Sequence, residues 1–227
     1  MFFIKPLAVI NKSAMINFWE AGGIVMGPLM GFSILSVALI LERLFFWFPL
    51  LVRQESVVRK FLDHYSRVPS EEMIEKKLLP SLRKNAHLPI PRIFLAALQL
   101  QQPTPEEFRL ALESASQAEL PLLKRFNTVF ETIISVSPLL GLLGTVLGLI
   151  NSFASLKMGD VGGTNATEVT GGISQALIST AAGLVIAIFT LLFANMFRSF
   201  YQRQRALILE YGGQLELLYR HLHEKIR

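Results

Sequence analysis

Two stretches decide the fold: TIISVSPLLGLLGTVLGLINSFASL, residues 132–156, and VTGGISQALISTAAGLVIAIFTLLFANMF, residues 169–197, each without an ionisable side chain. At about 1.5 Å of rise per residue, both are long enough to cross a hydrocarbon layer of roughly 30 Å as helices. Working outward, IVMGPLMGFSILSVALIL, residues 24–41, supplies a third uncharged run of 18 residues. With 52% hydrophobic residues, the 227-residue chain carries more apolar mass than a soluble core needs. Strand alternation and internal repeats are absent. The expected fold is an all-α membrane protein with three transmembrane helices, two of them long and extended into the cytoplasm, plus cytoplasmic helices.

Orientation follows from Lys and Arg. Residues 51–131 hold twelve and residues 198–227 hold six, against two in residues 1–23 and one in residues 157–168. The positive-inside rule puts the N-terminus and the 157–168 loop outside and the C-terminus in the cytoplasm. The segments are then an exterior 1–23 with an interfacial helix around INFWEAGG, a first span within 24–50, and a cytoplasmic helical region, 51–131. The second span at 132–156, the exterior loop at 157–168, the third span at 169–197 and an amphipathic tail at 198–227 follow. The net charge of +5 needs no nucleic acid, because its basic residues lie where anionic inner-leaflet lipids would be.

Within the cytoplasmic region, Thr104, Pro105 and Glu107 form a capping-box helix start. This helix is expected to run straight into the second span, kinked at Pro121. In the tail, Ile208, Tyr211, Leu215, Leu218 and Leu222 step by three and four, which predicts an amphipathic helix weakened at Gly212 and Gly213. The first span reads as an outer, lipid-facing helix.

Chemistry is concentrated on the second and third spans. Pro138, Gly141, Thr145, Gly148 and Ser152 share a face within about 60° of Thr145. On the third, Thr180 shares a face with Ala176, Gly183 and Ala187, and Gln175 lies about 140° away from Thr180. Close helix packing accounts for such a small-residue stripe as readily as a polar pathway does. Gln175 in lipid must face protein or water, and an interhelical hydrogen bond satisfies it. Neither span holds an acid or base, and only Glu131 stands at the mouth of the second. Hydroxyls and amides do not titrate in range, so a proton path along these helices needs a carboxylate from a partner.

SPLLGLLGTVLGLINSF (137–153) followed by GGISQALISTAAGLVIAI (171–188) resembles the two signature helices of the MotA/TolQ/ExbB proton-channel family. PEEFRLALESASQAELPLLKRFNTVFETI (105–133) and ALILERLFFW (38–47) resemble its lead-in to the second span and its first-span exit. The three-span, N-out plan matches the ExbB/TolQ branch, and the likeness covers roughly residues 24–198.

That resemblance implies a homo-oligomer, a pentameric ring around an ExbD/TolR-like single-span protein whose membrane aspartate takes the proton. It also implies a TonB-like energy transducer, with Thr145 and Thr180 facing the aspartate and Pro138 matching the family's proline. The function it implies is an ExbB-like proton-channel subunit of an inner-membrane complex that energises TonB-dependent outer-membrane transport; the alternatives are TolQ-like envelope maintenance and a non-conducting scaffold. Where well-studied members carry Glu, this chain has Gln175. The four histidines lie outside the spans without metal-ligand spacing, no cofactor motif is present, and no nucleophile–base constellation marks an enzyme.

Overall fold

The structure, a computed structural model, describes residues 23–66, 78–157 and 165–226. The interfacial helix expected in 1–23 and the centre of the 157–168 loop lie outside the described residues. Among the described residues every regular element is helical. Three helical stretches are long and apolar enough to cross a membrane. The chain forms two compact units: Met1–Ile40 with Thr128–Ala194, and Leu41–Asn127 with Asn195–Arg227.

Helix α1 spans Met26–Pro49, and a π-helical turn, Leu50–Gln54, joins it to α2, Glu55–Ser66. Pro49 cannot donate to the carbonyl one turn back, and the ladder widens to the π spacing immediately after it. Then come α3 (Leu79–Lys84), α4 (Pro89–Leu98), α5 (Pro105–Leu123), α6 (Asn127–Lys157) and α7 (Asn165–Ile226).

The unit built from 41–127 and 195–227 has an aromatic core. Val58, Phe61, Leu62 and Tyr65 of α2 are buried, and the Phe61 and Phe94 rings lie 5.6 Å apart. An ion pair of 2.6 Å between Arg92 and the buried Glu119 ties α4 to α5. The predicted cap is present: Thr104 Oγ1 accepts from the Glu107 N–H, and the Glu107 carboxylate accepts from the Thr104 N–H. Ile208, Tyr211 and Leu215 of α7 are buried as their spacing predicts, and the Tyr211 hydroxyl accepts from Arg59 Nε at 3.2 Å.

One expectation is corrected. The lead-in helix does not kink into the second span at Pro121. Pro121 and Gln117 are both exposed, and α5 continues past Pro121 to Leu123. The break is at Lys124–Phe126, where Phe126 takes φ +67° and the Asn127 N–H donates to the Lys124 carbonyl at 3.1 Å. The third span is long, as expected, and continues into the amphipathic tail: α7 runs 62 residues without interruption. Gly212 and Gly213 cost it propensity, about 1 kcal/mol each against alanine, but not continuity.

The other unit packs the hydrophobic parts of α1, α6 and α7. Contacts of α6 with α7 pair Ser137 with Gly183, Gly141 with Thr180, Gly148 with Ala176 and Ser152 with Gly172, so these helices are antiparallel. Just before α1, Gly23 meets Gln175, and on α1 Ser36 meets Thr190, so α1 and α7 run parallel. The first span is more than a lipid-facing helix. Val25, Met26 and Leu29 are buried on Leu140, Leu147, Ala182 and Ile186. A buried hydroxyl pair, Ser36 Oγ and Thr190 Oγ1 at 2.7 Å, joins it to α7 further along, while Ile34, Val37 and Leu41 remain exposed.

Candidate functional site

The seam between α6 and α7 is built from residues small enough for backbones to touch. A Cβ placed on Gly148 would lie 2.8 Å from the Gly172 carbonyl oxygen and 3.0 Å from Ala176 Cβ. One placed on Gly141 would lie 3.0 Å from both the Ser179 carbonyl oxygen and Thr180 Cα. Ser152 Oγ donates within its own helix to the Gly148 carbonyl, 3.0 Å away, and also lies 3.3 Å from that of Val169. Ser179 Oγ, fully buried, is 2.8 Å from the Ala176 carbonyl and 3.3 Å from that of Gly141.

The centre of this seam is offset from the face read in the sequence. On α6 the buried line is Ser137, Gly141, Gly144, Gly148 and Ser152; on α7 it is Gly172, Ala176, Ser179, Gly183 and Ala187, with Gly172 half-buried. Thr145 and Thr180 are half-buried and lie to one side of these lines, each about 60° from the centre on a 100° wheel. The offsets have the same rotational sense. Because the helices are antiparallel, equal rotations put both hydroxyls on one side of the seam. From the residue pairing, Thr145 and Thr180 are separated along the axis by about three residues, or roughly 5 Å.

Each hydroxyl is engaged with backbone. Thr145 Oγ1 donates to the Leu142 carbonyl at 2.6 Å, and Thr180 Oγ1 donates across the seam to the Gly141 carbonyl at 3.0 Å. Pro138, half-buried, and Glu131, exposed, extend the Thr145 side of α6 at seven-residue steps. Exposed Leu142, Leu149, Leu177 and Leu184 flank the threonines. Gly141, Gly148, Ser152 and Gly183 are spent on the seam itself.

Gln175 is on the other side. Leu140 and Leu147 of α6 and Ala182, Ile186 and Gln175 of α7 all rotate away from the threonines, and this is the side that α1 covers. The sequence reading passed over Ser137, Gly144, Ser36 and Thr190. The first two continue the small series at 137, 141, 144 and 148 and were legible there. The last two form a pair 154 positions apart that only tertiary structure reveals.

Comparison with known proteins gives this geometry its context. The model of the MotA/TolQ/ExbB proton channel family matches residues 85–209, which include both threonines and the whole seam. The chain belongs to this family. It is 59% identical, over 90% of its own length and 95% of the relative's, to putative biopolymer transport protein ExbB-like 3 of Synechocystis. ExbB-like 1 of the same organism is 39% identical over 95% of this chain and 83% of that relative. The biopolymer transport protein ExbB of Salmonella typhimurium is 37% identical over a shorter region, 41% of this chain and 38% of the relative. As a family member the chain is a membrane protein of the ExbB-like kind, with its family-matched region centred on the α6–α7 seam.

Proposed function

We propose that the chain is the channel-forming subunit of a bacterial inner-membrane complex that uses proton-motive force to energise TonB-dependent transport at the outer membrane. In this reading it assembles as a pentamer around an ExbD/TolR-like single-span partner, works with a TonB-like transducer, and has its N-terminus outside and its C-terminus in the cytoplasm. The observation that carries the reading is the placement of Thr145 and Thr180 on the same side of the seam, the side that α1 leaves open.

The hydroxyl geometry supplies a mechanism. A threonine hydroxyl has one donor and two acceptor lone pairs, and both donors here are given to carbonyls. What they offer a partner is acceptor capacity. A protonated partner carboxyl can donate to them; an ionised carboxylate meets only oxygens unless a hydroxyl rotates out of its backbone bond. The site therefore holds the two protonation states differently. One such bond is worth about 0.5–1.5 kcal/mol net, enough to bias where the partner helix rests when its proton arrives or leaves.

The test is proton flux through the reconstituted complex, with the partner's aspartate intact and then neutralised. Thr145→Val and Thr180→Val should each abolish aspartate-dependent flux while the complex still assembles, and Thr→Ser at either site should retain it. Full flux in both valine variants refutes the assigned role. A second reading, a scaffold that only anchors its partner, draws on the observation that most of the small stripe is used inside the protomer. Absence of aspartate-dependent flux in the unmodified complex favours that scaffold.

A further inference from the structure

We infer that Gln175 is a positioning residue that holds the beginning of α1 against α7, and that it takes no place beside Thr145 and Thr180. Three observations carry this. Gln175 stands about 140° around α7 from Thr180, on the side that α1 covers. Its half-buried amide packs directly on Gly23, filling the space where any other residue's Cβ would go. Gly23 itself has φ +70°, a conformation that also favours glycine, so backbone and neighbour make the same demand.

The start of α1 needs such a neighbour. The first four-residue hydrogen bond of the helix runs from the Leu29 N–H to the Val25 carbonyl at 3.3 Å, which makes Val25 the capping position, and a valine side chain cannot cap. The Met26 N–H is taken by the Gly23 carbonyl at 3.0 Å, and Pro28 has no N–H to satisfy. The Gln175 side chain, laid on the turn at Gly23 with Nε2 as its nearest atom, holds this uncapped start by packing on it.

Together with the Ser36–Thr190 hydrogen bond, this packing contact makes two points of attachment on a parallel helix pair. They are 13 residues apart, roughly 20 Å, with the apolar contacts of Leu29, Ala182 and Ile186 between them. The contact at Gln175 fixes one end of the helix that walls off the side opposite the threonines. A glutamate at this position has the same length and shape, so it can pack on Gly23 in the same way, and it gains from the positive end of the helix dipole. Charge at residue 175 is thus compatible with anchoring and is not itself evidence of proton relay.

The test uses amide hydrogen exchange on the full chain in lipid nanodiscs and needs neither the partner nor flux, so its outcome is separate from that of the proton-channel reading. Gln175→Leu should raise exchange at least tenfold in residues 24–29 while leaving 36–40 within twofold of the unmodified protein, and Gln175→Glu should restore protection. Three results overturn the inference: unchanged exchange at 24–29 in Gln175→Leu, an equal rise throughout α1, α6 and α7, or a Gln175→Glu variant as unprotected as the leucine.

Discussion

Gly183→Ala tests whether the seam is as tight as its contacts require. An added Cβ would run into the Ser137 carbonyl oxygen and stand 3.2 Å from that carbonyl carbon and 3.3 Å from Gly141 Cα. All three atoms belong to the backbone of α6, so no side-chain rotation relieves the overlap. Carbon atoms pack comfortably at about 3.5–4.0 Å, so the two helices must part locally by several tenths of an ångström or more. Thr180, three residues from Gly183, makes its 3.0 Å bond to Gly141 across the same gap. A displacement of that size carries the bond toward or beyond 3.5 Å, where it ceases to count.

Overpacking costs about 1–3 kcal/mol, and the weakened bond adds about 1. The better helix propensity of alanine returns up to about 1. The net expectation is a loss of about 1–3 kcal/mol, or roughly 5- to 150-fold in the equilibrium for opening the seam. Amide exchange at 137–148 and 176–187 in nanodiscs reads this directly. Gly171→Ala is the control, because a Cβ there meets nothing within 4 Å and should leave exchange unchanged or slightly slower. If Gly183→Ala behaves like Gly171→Ala, the seam is not close-packed and the argument that places the threonines beside it fails.

Two further outcomes are expected. Ser36→Val leaves Thr190 without its 2.7 Å partner, although Thr190 retains its own-helix bond to Ile186; the cost should be about 1 kcal/mol, seen as faster exchange near 36–40 and reversed by Ser36→Thr. Thr104→Ala should destabilise α5 by about 1 kcal/mol at neutral pH, measured by exchange at 105–110. The Thr104 backbone N–H, then its hydroxyl, holds the Glu107 carboxyl below the usual carboxylate range. That contribution is therefore complete above the unfolded pKa and lost as pH falls through the folded one. Thr104→Ala removes only the hydroxyl's share of it, so the gap between unmodified protein and variant should narrow in part below about pH 4.5, and a gap that is flat with pH refutes the bond from the hydroxyl to the carboxylate.

The three spans were legible because charge-free runs of this length have few alternatives, and the cap at Thr104 was legible because its chemistry is confined to four residues. The break at Phe126 was not. Proline is the usual signal for an interruption, yet exposed Pro121 is tolerated within α5, whereas the chain turns through a left-handed phenylalanine that no propensity scale favours. The two faces of the seam illustrate the same limit. A helical wheel gives each residue's angle about its own axis but not which angle meets a neighbour. Thr145 looked central because it lies among the small residues, although the packed line is centred nearer Gly141 and Gly148.

Once α6 and α7 are known to be antiparallel, the wheel becomes informative again. Equal offsets place Thr145 and Thr180 together, whereas Gln175 falls among the residues that meet α1. Thr180 and Gln175 therefore lie on opposite sides of the seam by rotation, although they are only five positions apart. A hydroxyl on the open side can exchange hydrogen bonds with a mobile partner at little cost, since a backbone carbonyl holds it when the partner leaves. An amide packed on Gly23 cannot leave without exposing the start of a membrane helix. In the proposed channel, the residue that cycles and the residue that stays put are thus separated by the seam, so substitutions at Thr180 should register in flux and those at Gln175 in the order of the first helix.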